Sequence, residues 1–182
     1  MSFTMSARRF APAFVVLVGT AAPVPATPAP PDSAAWAACA GGAAATTVLR
    51  RYVRHSATDR SGHLLPPGTA QLSCGTRRYG YRHILTRHQD DWSRGFPPSA
   101  ERWDERADRS IAATLLSPDA VSYRVGNDGW CYSRTLEFRG AESPRASAVR
   151  IVRVVVTGAG GTVVTAYPAD EQCSGPGGPG PA

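Results

Sequence analysis

The apolar positions recur at two different periods, and the change falls after Pro118. In "YRHILTRHQDDW", Leu85, His88 and Trp92 follow one another at three- and four-residue steps and Gly95 follows as a stop, which predicts a helix. A second helix is predicted over "PPSAERWDERADRSIAATLLSP". Ser99 is its expected N-cap, acids fill its early turns, and Trp103, Ala107, Ile111 and Leu115 form one stripe before Pro118. Upstream the pattern is mixed and mostly helical. "SAAWAACAGGAAA" predicts a short helix, "TTVLRRYVRH" fits a strand or a helix equally, and "PPGTAQLSCG" is rich in turn formers.

Beyond Pro118 the period becomes two. "AVSYRV" and "WCYSRTLEF" alternate about the turn "GNDG", and "SAVRIVRVVVT" and "TVVTAYP" about "GAGG", with Pro168 closing the last run. Helices followed by antiparallel hairpins predict an α+β fold: N-terminal helices packed on a C-terminal antiparallel sheet of about four strands.

The two ends of the chain have a different composition. Residues 1–26 carry Arg8 and Arg9, an apolar run at 14–18 and then small residues, with Val24 and Ala26 fitting a cleavage site. That is the pattern of a secretory signal peptide, and the run is too short to span a bilayer as a helix. Residues 27–34 read as a Pro/Ala linker and 174–182 as a disordered Gly/Pro tail, leaving 35–173 as a single globular domain. Cys39 lacks a lipoprotein-type sequence before it, so a free secreted product without a membrane anchor is expected.

Export changes how the cysteines are read. Cys39, Cys74, Cys131 and Cys173 contain no CxxC pair, which disfavours zinc, and an even count in an exported chain implies two disulfides with three possible pairings. The expected pairing is Cys39–Cys74 and Cys131–Cys173, since each would tie a terminal segment to the body. Every basic residue is Arg, and the net charge of +6 becomes +4 once Arg8 and Arg9 are removed. The absence of Lys fits a GC-rich coding bias, but the charge still favours polyanionic partners.

Four histidines are present, and two of them, His83 and His88, lie within seven residues together with Arg82 and Arg87. On a helix His83 and Arg87 share a face, whereas His88 points about 140° away from His83 and joins the stripe of Tyr81, Leu85 and Trp92. A packing role therefore competes with a chemical one for His88, and a surface role for His83. A first-turn His83 would let both rings reach one cleft. Metal-free cleavage of RNA needs a base for the 2′-hydroxyl, an acid for the leaving oxygen and cations for the phosphate. Imidazole suits the proton roles and guanidinium the phosphate, while nearby aromatics can stack on bases. Arg134 or Thr135 beside Thr165 and Tyr167, facing the histidine helix, would complete a phosphate site. The carboxylates of "QDDW" and "WDERAD" read as solvated faces, and HExxH, GxSxG, P-loop and strand-linked GxGxxG motifs are absent from the sequence.

The order of these elements resembles the barnase–EndoU–colicin–RelE-like superfamily. The likeness rests on a "HILTRH" helix, a second helix running into "LLSPDAV", an aromatic hairpin, then "VRVVVT" and "GTVVTAYP". It covers residues 79–168 and is nearest to the toxin-type and phage-associated nuclease domains of the group. The resemblance implies helices on a four-stranded antiparallel sheet and RNA cleavage without metal or cofactor. His83 and His88 match its histidine motif, and Thr165 and Tyr167 its final strand; Arg87 and Arg134 are added from phosphate chemistry. The leader and the extensions bearing Cys39 and Cys173 depart from a typical polymorphic toxin. The expected function is a secreted monomeric ribonuclease acting on single-stranded RNA. The alternatives are a non-catalytic secreted, disulfide-stabilised binding module, and an exported antibacterial nuclease toxin with an acidic inhibitor or immunity protein as partner.

Overall fold

The valine-dense segment Ser147–Thr157 is the spine of the fold. Its Val152, Val154 and Val156 are fully buried on one face, each contributing roughly 1.5–3 kcal/mol of burial free energy. The computed structural model describes residues 33–59, 61–99, 101–140 and 147–174. Along the chain run α1 (Ser33–Ala40), β1 (Val48–Arg54), β2 (Ala57–Thr58), β3 (Leu64–Leu65) and β4 (Gly68–Ser73). Then come α2 (Tyr81–Ser93), α3 (Trp103–Leu116), β5 (Ala120–Arg124), β6 (Gly129–Arg139), β7 (Ser147–Thr157) and β8 (Val163–Ala169). The expected signal peptide, the linker through residue 32 and the tail beyond Ser174 lie outside the described residues. Ser33 and Ala34, expected in the linker, open α1.

Strands β5 to β8 form one antiparallel four-stranded sheet in sequential order, as both hairpins predict. The fold is α+β. Residues paired across an antiparallel ladder share a face, so the register Tyr132↔Val154↔Ala166 defines the core face. The register Ser133↔Arg153↔Tyr167 defines the opposite one. Helix α3 lies against the core face, where Ile111 and Leu115 are fully buried and the Arg134 guanidinium reaches the Ala113 carbonyl at 3.0 Å.

The first half is less helical than its composition predicts. "TTVLRRYVRH" yields strand β1, and the turn-rich "PPGTAQLSCG" contains its antiparallel partner β4. The pairing satisfies the backbone of β1 and lets Tyr52 and Arg54 turn inward while Arg51 and Val53 face solvent. Among the described residues no helix is long and apolar enough to cross a membrane.

Both disulfides have the expected pairing, Cys39–Cys74 and Cys131–Cys173, closing separations of 35 and 42 residues. Loops of that size lower the entropy of the unfolded chain enough to stabilise the fold by about 4 kcal/mol each in the chain-entropy account. Two such bonds mark a protein of an oxidising compartment. The first ties α1 to the segment before α2, beside a cluster in which Trp36 meets Tyr81 at 5.1 Å and Trp103 at 6.3 Å. The second holds the C-terminal segment across the face opposite α3.

Helix α3 departs from expectation at its start and along its charged residues. Its N-cap is Arg102, whose backbone N–H is taken by the Glu105 carboxylate, whereas Ser99 receives a hydrogen bond from Arg106. The acids of "WDERAD" are not a solvated face: Asp104 and Asp108 are 3% and 1% exposed. Asp104 pairs with Arg102, while Asp108 accepts the Tyr52 hydroxyl at 2.7 Å and faces Arg50 at 3.5 Å. Burial is the main force raising the Asp108 carboxyl above its ordinary range, against the opposing pull of Tyr52 and Arg50.

Candidate functional site

Strand β8 is the edge of the main sheet, and α2 lies along that edge. The Gly80 N–H donates to the Val164 carbonyl at 2.9 Å, and the Trp92 indole donates to the Ala166 carbonyl at 3.1 Å. Two outward-facing carbonyls of the edge are thereby satisfied. Helix α2 can take this position because its residues divide by side. Ile84 and Trp92 are fully buried in the core, while His88 turns toward the opposite face of the sheet.

On that opposite face three rings meet. The His83 and His88 rings are 5.5 Å apart between centroids, at 66°. His88 in turn stacks on Tyr167 at 4.7 Å and 17°. The five-residue separation that would send the imidazoles apart on an ideal helix is overcome because His83 lies in the first turn of α2 and is tied to the loop before it. Its Nδ1–H donates to the Arg77 carbonyl at 2.8 Å. In His88, Nδ1–H donates to the Asp91 carboxylate at 2.9 Å. Carbonyl and carboxylate oxygens only accept, so each Nδ1 carries the proton, and each neutral imidazole keeps its Nε2 lone pair free. Both rings can therefore take up or deliver a proton through Nε2.

Burial is the main reason that the His88 imidazole titrates below its ordinary range. The Asp91 carboxylate opposes that shift, while His83 and the Arg87 guanidinium reinforce it. His88 is thus neutral near pH 7, with a carboxylate in place to stabilise the imidazolium it forms on accepting a proton. Asp91, read from the sequence as part of a solvated face, is that carboxylate, and its side chain remains half-exposed.

The other expected residues divide. Arg87 is exposed, one helical turn beyond His83, and no hydrogen bond or ion pair engages its guanidinium among the described residues. Thr165 shares the face of Tyr167 by register, and its hydroxyl is covered and unpartnered. Thr135 is on that face too, where its hydroxyl receives the Gln172 amide at 2.9 Å. Arg134 does not belong to the site. It pairs across the ladder with Val152, on the core face, and its guanidinium is held by α3. The cation directly opposite Tyr167 is Arg153, only 5% exposed and bonded to the carbonyls of Glu171 and Gln172 at 2.7 and 2.8 Å. Its signal in the sequence was the alternation of "VRIVRV", which sends Arg153 and Val154 to opposite faces.

Two hollows lie away from this group. One of about 410 Å³ is lined by Arg106, Arg109, Leu136, Phe138 and Arg139, another of about 440 Å³ by His63, Leu64, Tyr123, Val125 and Trp130. None of His83, His88 and Tyr167 lines either hollow. His83, His88 and Tyr167 are each half-buried at the rim of the sheet.

The chain is similar to two uncharacterized proteins of Mycobacterium tuberculosis, MT0764 and Rv0739. Each is 33% identical to it over 150 residues, covering 80% of this chain and 53% of the relative. The chain thus spans about half the length of the curated relatives it matches. No family model matches the chain, and no solved structure matches it.

Proposed function

We propose that this protein is a secreted ribonuclease of the barnase–EndoU–colicin–RelE-like kind, cleaving single-stranded RNA without a metal by attack of the 2′-hydroxyl. The observation that carries the reading is the run of ring contacts from His83 to His88 and from His88 to Tyr167, with both Nε2 atoms free. The two disulfides and the expected leader support export.

In this mechanism His88, neutral and backed by Asp91, takes the 2′-hydroxyl proton at Nε2. The 2′-oxygen bonds to phosphorus as the bond from phosphorus to the 5′-oxygen breaks. His83, protonated, delivers its Nε2 proton to that departing oxygen. The products are a 2′,3′-cyclic phosphate and a 5′-hydroxyl, and the enzyme is left with His88 protonated and His83 neutral until solvent exchange resets both. Arg87 offsets the charge on the phosphate, and the Tyr167 ring fixes the plane of the base imidazole. Proton transfer of this kind contributes roughly 10²–10⁴-fold.

The test is incubation of the oxidised protein with single-stranded RNA in EDTA from about pH 5 to 8, the range in which imidazoles titrate. Cleavage that leaves cyclic phosphate ends and falls sharply in both His83→Ala and His88→Ala is the expected result. No cleavage, or cleavage indifferent to both substitutions, would favour the non-catalytic binding module.

A further inference from the structure

The segment before α2 is a closely braced turn. In residues 75–80 the Thr76 N–H donates to the Tyr79 carbonyl at 2.9 Å, and the Arg78 N–H to the Thr76 hydroxyl at 3.1 Å. Two glycines close it. Gly75 has φ +63° and a Cβ there would lie 2.0 Å from the Tyr79 carbonyl oxygen; Gly80 has φ +76° and its Cβ would lie 2.7 Å from the Ser73 carbonyl oxygen. Only glycine fits such positions. Cys74, immediately before the turn, is bonded to Cys39, and Arg82 clamps the Gly75 carbonyl at 3.0 Å. This bracing places Arg77 and Arg78 at the tip, with the Arg77 carbonyl bound to His83. Both side chains are exposed, and, like that of Arg87, their guanidiniums have no hydrogen bond or ion pair among the described residues.

A disulfide, two left-handed glycines and an arginine clamp are more constraint than a connecting loop requires. Here they hold two solvated guanidiniums beside a proton-transfer centre, in a chain whose net charge is +6. We infer that this turn is a docking site for the backbone phosphates of single-stranded nucleic acid. Arg77 and Arg78 take phosphates flanking the one at His83 and His88, and Arg87 continues the cationic track along α2. Guanidinium suits the task because it binds phosphate oxygens in pairs and stays charged at every working pH. The inference deepens the ribonuclease reading and rests on it for the path of the strand.

The experiment uses the full oxidised chain and a fluorescent 2′-O-methyl oligonucleotide, which lacks the attacking hydroxyl and so cannot be cleaved. Binding is followed by anisotropy over a range of salt concentrations. Each phosphate contact on a single strand adds about 0.7 to the slope of log affinity against log salt. Arg77→Ala with Arg78→Ala should therefore lower the slope by about 1.4, at unchanged melting temperature, and the paired Lys variant should restore most of it. An unchanged slope and affinity in the folded Ala variant would overturn the docking site. So would binding to phosphatidylserine vesicles that depends on both arginines, in a protein that ignores the oligonucleotide. The two readings fail separately. Loss of slope in a protein that cleaves no RNA keeps the docking turn and removes the histidine chemistry, whereas normal cleavage with an unchanged slope does the reverse.

Discussion

The imidazole of His88 lies nearly flat on the phenol ring of Tyr167, 4.7 Å between centroids and 17° between planes. This contact joins α2 to the far face of strand β8 and sets which way the free Nε2 of His88 points. Stacked pairs of this type add about 0.5–1.5 kcal/mol beyond the area they bury. Tyr167→Phe should leave the urea midpoint nearly unchanged, whereas Tyr167→Ala should lower stability by at least that pair energy and reduce cleavage by misplacing His88. Equal stability of the Ala and wild-type proteins would show that the stack does not anchor the helix.

Stability should depend on pH through the same ring. His88 titrates below the ordinary histidine range in the folded protein, chiefly through burial, with Asp91, His83, Arg87 and Tyr167 facing it. Between the folded and unfolded values the unfolded chain binds more protons, so its population rises as the pH falls. The contribution of His88 is thus complete above about pH 6.5 and is lost on acidification below that value. Urea unfolding of wild type and His88→Gln above and below this pH measures it. The Gln variant should lose less stability on acidification, and parallel losses in the two proteins would refute the assignment.

Asp91→Asn should separate charge from orientation. The Asn carbonyl can still accept from Nδ1–H of His88, but it no longer favours the imidazolium. The His88 titration, followed by NMR, should move further down, and the acid limb of the cleavage profile should move with it. Activity should fall less than in His88→Ala, for which roughly 10²–10⁴-fold is expected. A titration that does not move would show that Asp91 plays no part in the proton chemistry.

Tyr52→Phe should be costly at a site remote from any chemistry. It removes the hydroxyl that donates to the buried Asp108 carboxylate and leaves Arg50 as the facing cation. Losing a donor to a buried acceptor costs about 1–3 kcal/mol, measurable by urea unfolding, while Phe keeps the ring that packs between β1 and α3. A loss well under that range would mean that Arg50 alone satisfies the carboxylate.

The parts of the fold legible in the sequence are those whose signals are local. The β6–β7–β8 ladder follows from β-branched alternation around Gly turns, and the Ile111 and Leu115 stripe of α3 from its 3.6-residue period. The buried acids of α3 were not legible, because what makes burial tolerable for Asp108 is a tyrosine 56 residues away. Strand β1 stayed ambiguous because its arginines blur the alternation, and only pairing with β4 resolves it. Among the expected site residues, His83 meets His88 and His88 meets Tyr167. Arg134 does not join them, although the alternation of β6 already put it with Trp130 and Tyr132. Adding it for its charge overrode a geometric signal that was correct.

The helix that carries both imidazoles is also the cover of the sheet's outermost strand, through Gly80 and Trp92. The geometry of the proposed site and colloidal behaviour are therefore inseparable in this protein. A substitution that loosens α2 would bare the unpaired carbonyls of β8 to neighbouring molecules. Such a variant would precipitate or form strand-paired aggregates, and a fall in RNA cleavage measured in it would in part be loss of dissolved protein.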